Sequence, residues 1–437
     1  MRKSALSLLA GLSIGVTSMF AATGWDSGFP TFPTLSSYER ISAICHFSKL
    51  YVAVNYSDDS TGDYHAYLYR LDGSTWNVVP NSSVGGHIFA LSAASSSSGT
   101  RLFVGGDFDD VGPSSLAATN VAMLNPIPTN NPTWSSLGTG AANGADGPVH
   151  SLKAQNWSDN YYGYLYDRIM VYIGGQFTKA GNLTTPSIAS WNGLGYLASG
   201  WARIGNATQG YGIDDDAWYR NIYGIAPDTY LYNYQTYLTG LYLAGNFRKT
   251  IGSVVNYNAT KWNGSSWRNL GKGLLKGGVD PNTCALSFSQ YPSYQGNCAV
   301  FTNSTAYIGG FFDDVQDKGG TNYFIGIDNG CGCPVCGFLQ LSTATVNSSE
   351  ILSTSTSLHI NGAAFCMALK GTTPYVGGNF STDDGSQVFY AAKLVSGSWQ
   401  SLPVTSSISP EDAPIAATAD STSAYFATYG GVFRYIH

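Results

Sequence analysis

The chain has 437 residues, only 11% of them charged, and its formal charge of -6 gives it no electrostatic pull toward nucleic acid or anionic lipid. Its 52 Gly and 30 Tyr, with abundant Ser, Thr and Asn in place of Lys, Glu, Ala and Leu, argue against a helical protein and for strands joined by tight turns. Beyond the N-terminal stretch, no segment approaches the roughly 20 uninterrupted apolar residues of a membrane helix.

Arg2 and Lys3 precede an apolar run from Ala5 to Val16 and then small residues. That layout makes residues 1–22 a signal peptide, with cleavage expected between 18 and 24, and so implies a secreted, extracellular or cell-surface protein without membrane insertion. Seven Cys in an exported chain point to disulfides, with at least one thiol left unpaired or pairing with another molecule. Asn-x-Ser/Thr sequons at Asn55, Asn81, Asn156, Asn182, Asn206, Asn258, Asn263, Asn303, Asn347 and Asn379 would make it a glycoprotein if its source is a eukaryote.

Further along, strand-forming residues end repeatedly in a Gly pair and an aromatic, as in Phe103-Val104-Gly105-Gly106-Asp107-Phe108 and Tyr172-Ile173-Gly174-Gly175-Gln176-Phe177. Tyr242 to Phe247, Tyr307 to Phe312 and Tyr375 to Phe380 repeat the pattern at intervals of 65 to 70 residues. Degenerate copies lie at Tyr51 to Tyr56 and Tyr425 to Tyr429. A short apolar strand precedes each Gly pair, as in Val149 to Leu152 and Phe365 to Leu369. An alternating stretch such as Ile188 to Gly193 follows, and Trp76, Trp134, Trp201, Trp267, Phe338 and Trp399 mark a last strand.

Four short antiparallel strands per unit predict an all-β fold, a seven-bladed β-propeller. The units fall near residues 41–80, 86–138, 147–205, 217–271, 282–343, 363–403 and 414–437, forming one domain over 23–437. The Gly pair is expected where a second strand ends beside the next blade, leaving little room for a Cβ or requiring a positive φ. The last unit stops after its third strand, and residues 23–30 offer Trp25 in the vacant slot, so the N-terminal strand is expected to complete the last blade.

The Gly-Gly-x-Phe, Ala-x-Trp-Asn-Gly and Trp-x-x-Leu elements resemble kelch-type propellers, in particular the secreted repeats of the fungal cortical polarity-marker family and related bacterial surface proteins. The resemblance spans nearly all of the chain after residue 22. It implies an extracellular or surface location but brings no catalytic residues, and this chain lacks the C-terminal span of the fungal proteins.

Glu39, Glu350 and Glu411 are the only glutamates, and no pair of acids is nominated for glycoside hydrolysis. His46, His65, His87, His150, His359 and His437 are scattered, where a copper radical oxidase site would need His ligands gathered with Tyr and Cys. Acids instead concentrate in the turns between second and third strands and between units. Asp58, Asp59, Asp63, Asp214, Asp215, Asp216, Asp313 and Asp314 form the densest groups, fitting either calcium, the one cofactor they suggest, or turns in which Asp is simply favoured. A basic partner is a further fit for such a face.

Cys331, Cys333 and Cys336 read as a loop staple, with Cys331 and Cys336 its ends, in preference to an incomplete zinc set. Cys284 and Cys298 bracket one long connection and are expected to bond; Cys45 and Cys366 fall in inner strands as small apolar residues. Tyr161, Tyr162, Tyr164, Tyr230, Tyr232, Tyr234 and Tyr237 crowd two long loops between first and second strands, either a docking ridge or two loops packed on each other.

The expectation is therefore a non-catalytic module that binds a protein or glycan at the cell surface or in an extracellular matrix. An extracellular oxidase or glycan hydrolase with a site at the channel mouth is one alternative. A structural subunit of an extracellular assembly is the other.

Overall fold

The computed structural model describes residues 24–162, 164–193, 200–213, 220–270, 298–302, 305–311, 360–382, 388–396, 398–402 and 413–436, with short strands at 273–275, 314–316, 322–324, 341–346 and 352–354. The described chain is all-β, apart from one 3-10 turn at Gly140–Ala142. Its strands pair antiparallel, with one parallel bridge between Tyr257 and Gly273. Among the described residues no helix is long and apolar enough to cross a membrane.

One four-strand order recurs. Val149–Tyr161 pairs Tyr164–Gly175, which pairs Ile188–Asn192, which pairs Gly200–Arg203. The same order holds for the strands starting at Glu39, Val84, Asn221, Cys298 and Ile360. Ala416–Ala419, Ser423–Ala427 and Val432–Ile436 supply three strands of a further sheet, whose fourth is Gly24–Trp25 at the other end of the chain, with Trp25 opposite Tyr435.

The first strands of these units pack side by side. Glu39–Phe47 contacts Val84–Ser96, which contacts Val149–Tyr161, then Asn221–Tyr232, Cys298–Thr302, Ile360–Lys370 and Ala416–Ala419, and this last strand contacts Glu39–Phe47 again. Apolar clusters fill the space between consecutive sheets; one joins Phe103 and Val121 to Val149, Val171 and Trp191.

The Gly pairs have two different causes. A Cβ on Gly105 would lie 2.6 Å from Val149 Cγ1, and one on Gly174 2.6 Å from Ile222 Cγ2, so the first Gly receives an aliphatic side chain of the next sheet. A Cβ on Gly106, Gly175 or Gly245 would lie 1.9, 2.1 or 2.0 Å from the carbonyl oxygen of His87, Pro148 or Asn221, within its own first strand or, for Pro148, just before it. The expected lack of room is present, whereas none of these glycines has a positive φ.

That close carbonyl lies one residue before a β-bulge. The first strand slips register between Val149 and Ser151 opposite Gly175 and Gly174, and likewise between Ile88 and Ala90, Ile222 and Gly224, Ile41 and Ala43, and Ala364 and Cys366. A bulge leaves one residue unpaired and re-aims its side chain.

Candidate functional site

The bulged residues Ser42, Phe89, His150, Tyr223 and Phe365 all line a cavity of about 1370 Å³ enclosed by the first strands. Three of them form an aromatic row. Phe89 stacks on His150 with ring centroids 5.1 Å apart and planes 20° off parallel, and His150 meets Tyr223 at 5.2 Å. Burial lowers the pKa of His150 to about 4 and raises that of Tyr223 to about 12, so both are neutral at pH 7.

Sequence reading missed this row, although its signal is present. Aligned on the repeat, Ile41-Ser42-Ala43-Ile44, Ile88-Phe89-Ala90-Leu91, Val149-His150-Ser151-Leu152 and Ile222-Tyr223-Gly224-Ile225 share an aliphatic, a variable residue, a small residue and an aliphatic. The variable residue interrupts strand alternation in each.

Of the other histidines, His87 lines the same cavity and shares a 2.8 Å hydrogen bond between its Nε2 and Ser57 Oγ. Burial lowers its pKa, partly offset by Asp107. His46 lines the cavity beside Asp420, its Nε2 3.7 Å from the carboxylate. His65 stacks on Tyr56 at the end of a hairpin, and His359 and His437 lie outside the described residues. Among the described residues the cavity wall carries no Asp or Glu, and no group of three His, Cys, Asp or Glu side chains is arranged to hold a metal ion.

The acidic turn at 58–63 uses its carboxylates locally. Asp58 Oδ1 accepts from the Ser60 amide at 3.0 Å and the Ser60 hydroxyl at 2.6 Å, which holds its pKa below the ordinary carboxylate range. Asp59 accepts from Tyr64 Oη at 2.9 Å, and Asp63 faces His65 Nδ1 at 3.2 Å. The three carboxylates are thus spread over separate partners. Asp214, Asp215, Asp216 and Asp313 lie outside the described residues, and Asp314 opens the short strand paired with Leu275 and Phe324.

Of the cysteines expected to bond, Cys298 is a free thiol, while its expected partner Cys284 lies outside the described residues. Cys298 opens a first strand, where its Sγ turns toward Gly309 O at 3.8 Å and burial pushes its pKa up to about 12. Cys331 and Cys336 also lie outside the described residues. Cys45 and Cys366 are buried free thiols. The Asn55 sequon is also a structural amide: its Nδ2 donates to Ile88 O and its Oδ1 accepts from Ile88 N, both at 2.9 Å.

At the other end of the sheets stand the tyrosines, and the two segments expected as loops are strand hairpins. Val149–Tyr161 and Tyr164–Gly175 pair out to Tyr161 opposite Tyr164, and Asn221–Tyr232 and Gln235–Ile251 pair out to Tyr232 opposite Gln235. Alternation of Tyr with Leu, Thr or Asn keeps the strand period to the tip, and Asn233 and Tyr234, with φ of 48° and 60°, close the second hairpin as a two-residue turn.

These hairpins brace one another. Ser158 N donates to Thr236 Oγ1 at 3.0 Å and Asn160 Nδ2 to Asn233 O at 3.2 Å. Toward the preceding unit, Asn156 Oδ1 accepts from Ser95 N at 3.0 Å, and Asp167 accepts from the Ser97 amide and hydroxyl. A half-buried ion pair, Arg168 Nε to Asp159 Oδ2 at 2.6 Å, stiffens the first hairpin beneath its tip.

Packing of the two segments on each other nevertheless leaves the rings in solvent. Tyr162 is 86% exposed, Tyr164 69%, Tyr232 68% and Tyr234 65%, while Tyr230 stacks on Tyr237 at 5.1 Å and 18° with both still reached by water. Tyr161 belongs to the same tip, in the strand directly opposite Tyr164.

No protein-family model matches the chain, and no curated protein sequence does. Solved structures to which it is similar include YCF48 bound to D1 peptide, at 9% identity and TM-score 0.42, covering 95% of this chain and 98% of that one. Sqt1 from Chaetomium thermophilum is matched at 10% identity and TM-score 0.38, over 93% and 100%. The fucose-specific lectin from Aleuria aurantia is matched at 11% identity and TM-score 0.30, over 86% and 100%.

Proposed function

We propose that this protein is a seven-bladed β-propeller closed by its N-terminal strand, and that it is a non-catalytic secreted module binding a protein or glycan through its tyrosine hairpins, at the cell surface or in an extracellular matrix. The recurring four-strand order and the ring of contacts between first strands support the architecture. Export rests on the sequence of residues 1–22.

One observation carries the functional reading: large rings held in solvent on a braced support. Exposed apolar patches of this kind mark interaction sites. Leaving several tyrosines in water on mobile loops would add an ordering cost to binding; here the cross-hairpin hydrogen bonds and the Asp159–Arg168 pair have already met it. The cavity offers less to a glycan hydrolase, because its described wall lacks the two carboxylates that chemistry uses.

The test compares capture from the native cell surface and retention on a glycan array by the wild type and by Tyr162→Ser/Tyr232→Ser/Tyr234→Ser. Loss of every ligand in the triple variant, with thermal unfolding unchanged, is the expected result. Ligand retention by that variant together with loss in His150→Ala would move the site to the channel.

A further inference from the structure

The two hairpin tips have an unusual charge balance for an exposed surface. Residues 229–239, Thr-Tyr-Leu-Tyr-Asn-Tyr-Gln-Thr-Tyr-Leu-Thr, contain no charged side chain. In the neighbouring tip the acids are engaged: Asp159 pairs with Arg168, and Asp167 accepts from Ser97. What remains is aromatic faces interleaved with amide and hydroxyl groups.

From this surface we infer that the ridge binds an extended, uncharged polysaccharide chain across both hairpins. The inference rests on the binding role proposed above and names its ligand class. Three features point there. Rings carrying a polar tip, such as the parallel Tyr230 and Tyr237, present flat faces to the C–H surface of a sugar ring and hydroxyls to its rim. Gln235 and the other amides supply donors and acceptors for neutral hydroxyls, and no unpaired cation among residues 229–239 waits for a carboxylate or sulfate.

The third feature is exposure. At 65% to 86% exposure, Tyr162, Tyr164, Tyr232 and Tyr234 form an open platform, whereas a single small ligand is held by a pocket that buries most of its surface. An open platform gains affinity by engaging several sugar units at once.

The experiment measures the intact protein by affinity electrophoresis through soluble uncharged polysaccharides (a β-glucan, a mannan and hydroxyethylcellulose) and, in parallel, through alginate and heparin. The expected result is retardation by at least one neutral polymer, insensitive to salt, with oligosaccharides competing better as they lengthen and the monosaccharide failing to compete. Tyr232→Ala or Tyr234→Ala is expected to weaken that retention by about tenfold, corresponding to about 1.4 kcal/mol. Salt-sensitive retention by the anionic polymers alone would overturn the inference, as would full competition by a monosaccharide. If no neutral polymer is retained but a protein is captured through the tyrosines, this inference falls and the broader binding role stands; if the tyrosine variants change nothing toward any ligand, both fall.

Discussion

The Gly-pair end of each sheet and the tyrosine hairpins of two of them are built on the same strands, yet they spend their side chains in opposite ways. At the Gly pairs the space is filled: the carbonyl just before the bulge presses on the second Gly and an aliphatic side chain of the next sheet presses on the first. At the hairpin tips, about ten residues further along the same strands, rings of the largest size stand in water. The first feature recurs in unit after unit, and the second occurs where two units depart from the pattern. In a repeat protein the recurring residues build the neighbour-to-neighbour interface. The departures are where a ligand can be recognised.

The strongest way to break this comparison is to place a methyl group where the packing forbids one. Gly175→Ala puts a Cβ 2.1 Å from Pro148 O, against backbone that cannot turn aside. We expect a loss of at least about 3 kcal/mol, read from urea unfolding, the upper end of what overpacking costs because the clash is with backbone. A variant with wild-type stability would mean that the bulge is not held as described.

Next in size is the junction of the chain ends. Trp25 meets Phe426, Phe433 and Tyr435 edge to face at 5.5 to 6.4 Å, and Arg434 Nε donates to Asp26 Oδ2 at 2.8 Å. Trp25→Ala is expected to cost about 3 kcal/mol and to make residues 432–436 exchange amide hydrogens faster. If exchange there is unchanged, the N-terminal strand does not complete the last sheet.

Smaller again is the effect of acid on the channel row. The His150 pKa falls from its ordinary 6.5 to about 4 in the folded state, so between those values the unfolded chain binds more protons than the folded one. Stability therefore rises with pH through that window and is lost as pH falls from 6.5 toward 4. His150→Phe should reduce the dependence of the unfolding midpoint between pH 4 and 6.5, leaving the part due to His46 and His87, whose pKa values burial also lowers, and the slope due to carboxylates at lower pH.

Much of the Gly-pair end was legible beforehand, because Phe103 to Phe108 and its copies state one local requirement again and again. The outer Trp slot was legible for the same reason: Trp134 lies in Thr133–Ser136 and Trp201 in Gly200–Arg203, both fourth strands. The channel row was not, since Phe89, His150 and Tyr223 share a position but no chemistry, and only the slip in register turns them toward one another. The hairpins were visible as tyrosine-rich segments and mistaken for loops, because nothing in their composition shows that a two-residue turn at Asn233 and Tyr234 lets the second pair of strands run on to the tip. The Cys284–Cys298 expectation relied on spacing, and of its two ends only Cys298, in a first strand facing Gly309, lies among the described residues.

The smallest expected stability effect is the one that sharpens the comparison most. Tyr232→Ala and Tyr234→Ala remove rings that are 68% and 65% exposed, so little buried surface is lost and the hairpin pairing does not depend on them. Their stability should stay within about 0.5 kcal/mol of wild type. Asn233→Ala is the informative control, because the residue sits at φ 48°, a left-handed conformation that Asn tolerates and Ala does not, so it should cost more than either tyrosine despite its smaller side chain. If the tyrosine variants prove the more damaging, the rings are holding the hairpins together and the ridge is scaffold; if Asn233 is, the turn is scaffold and the rings are left for a ligand.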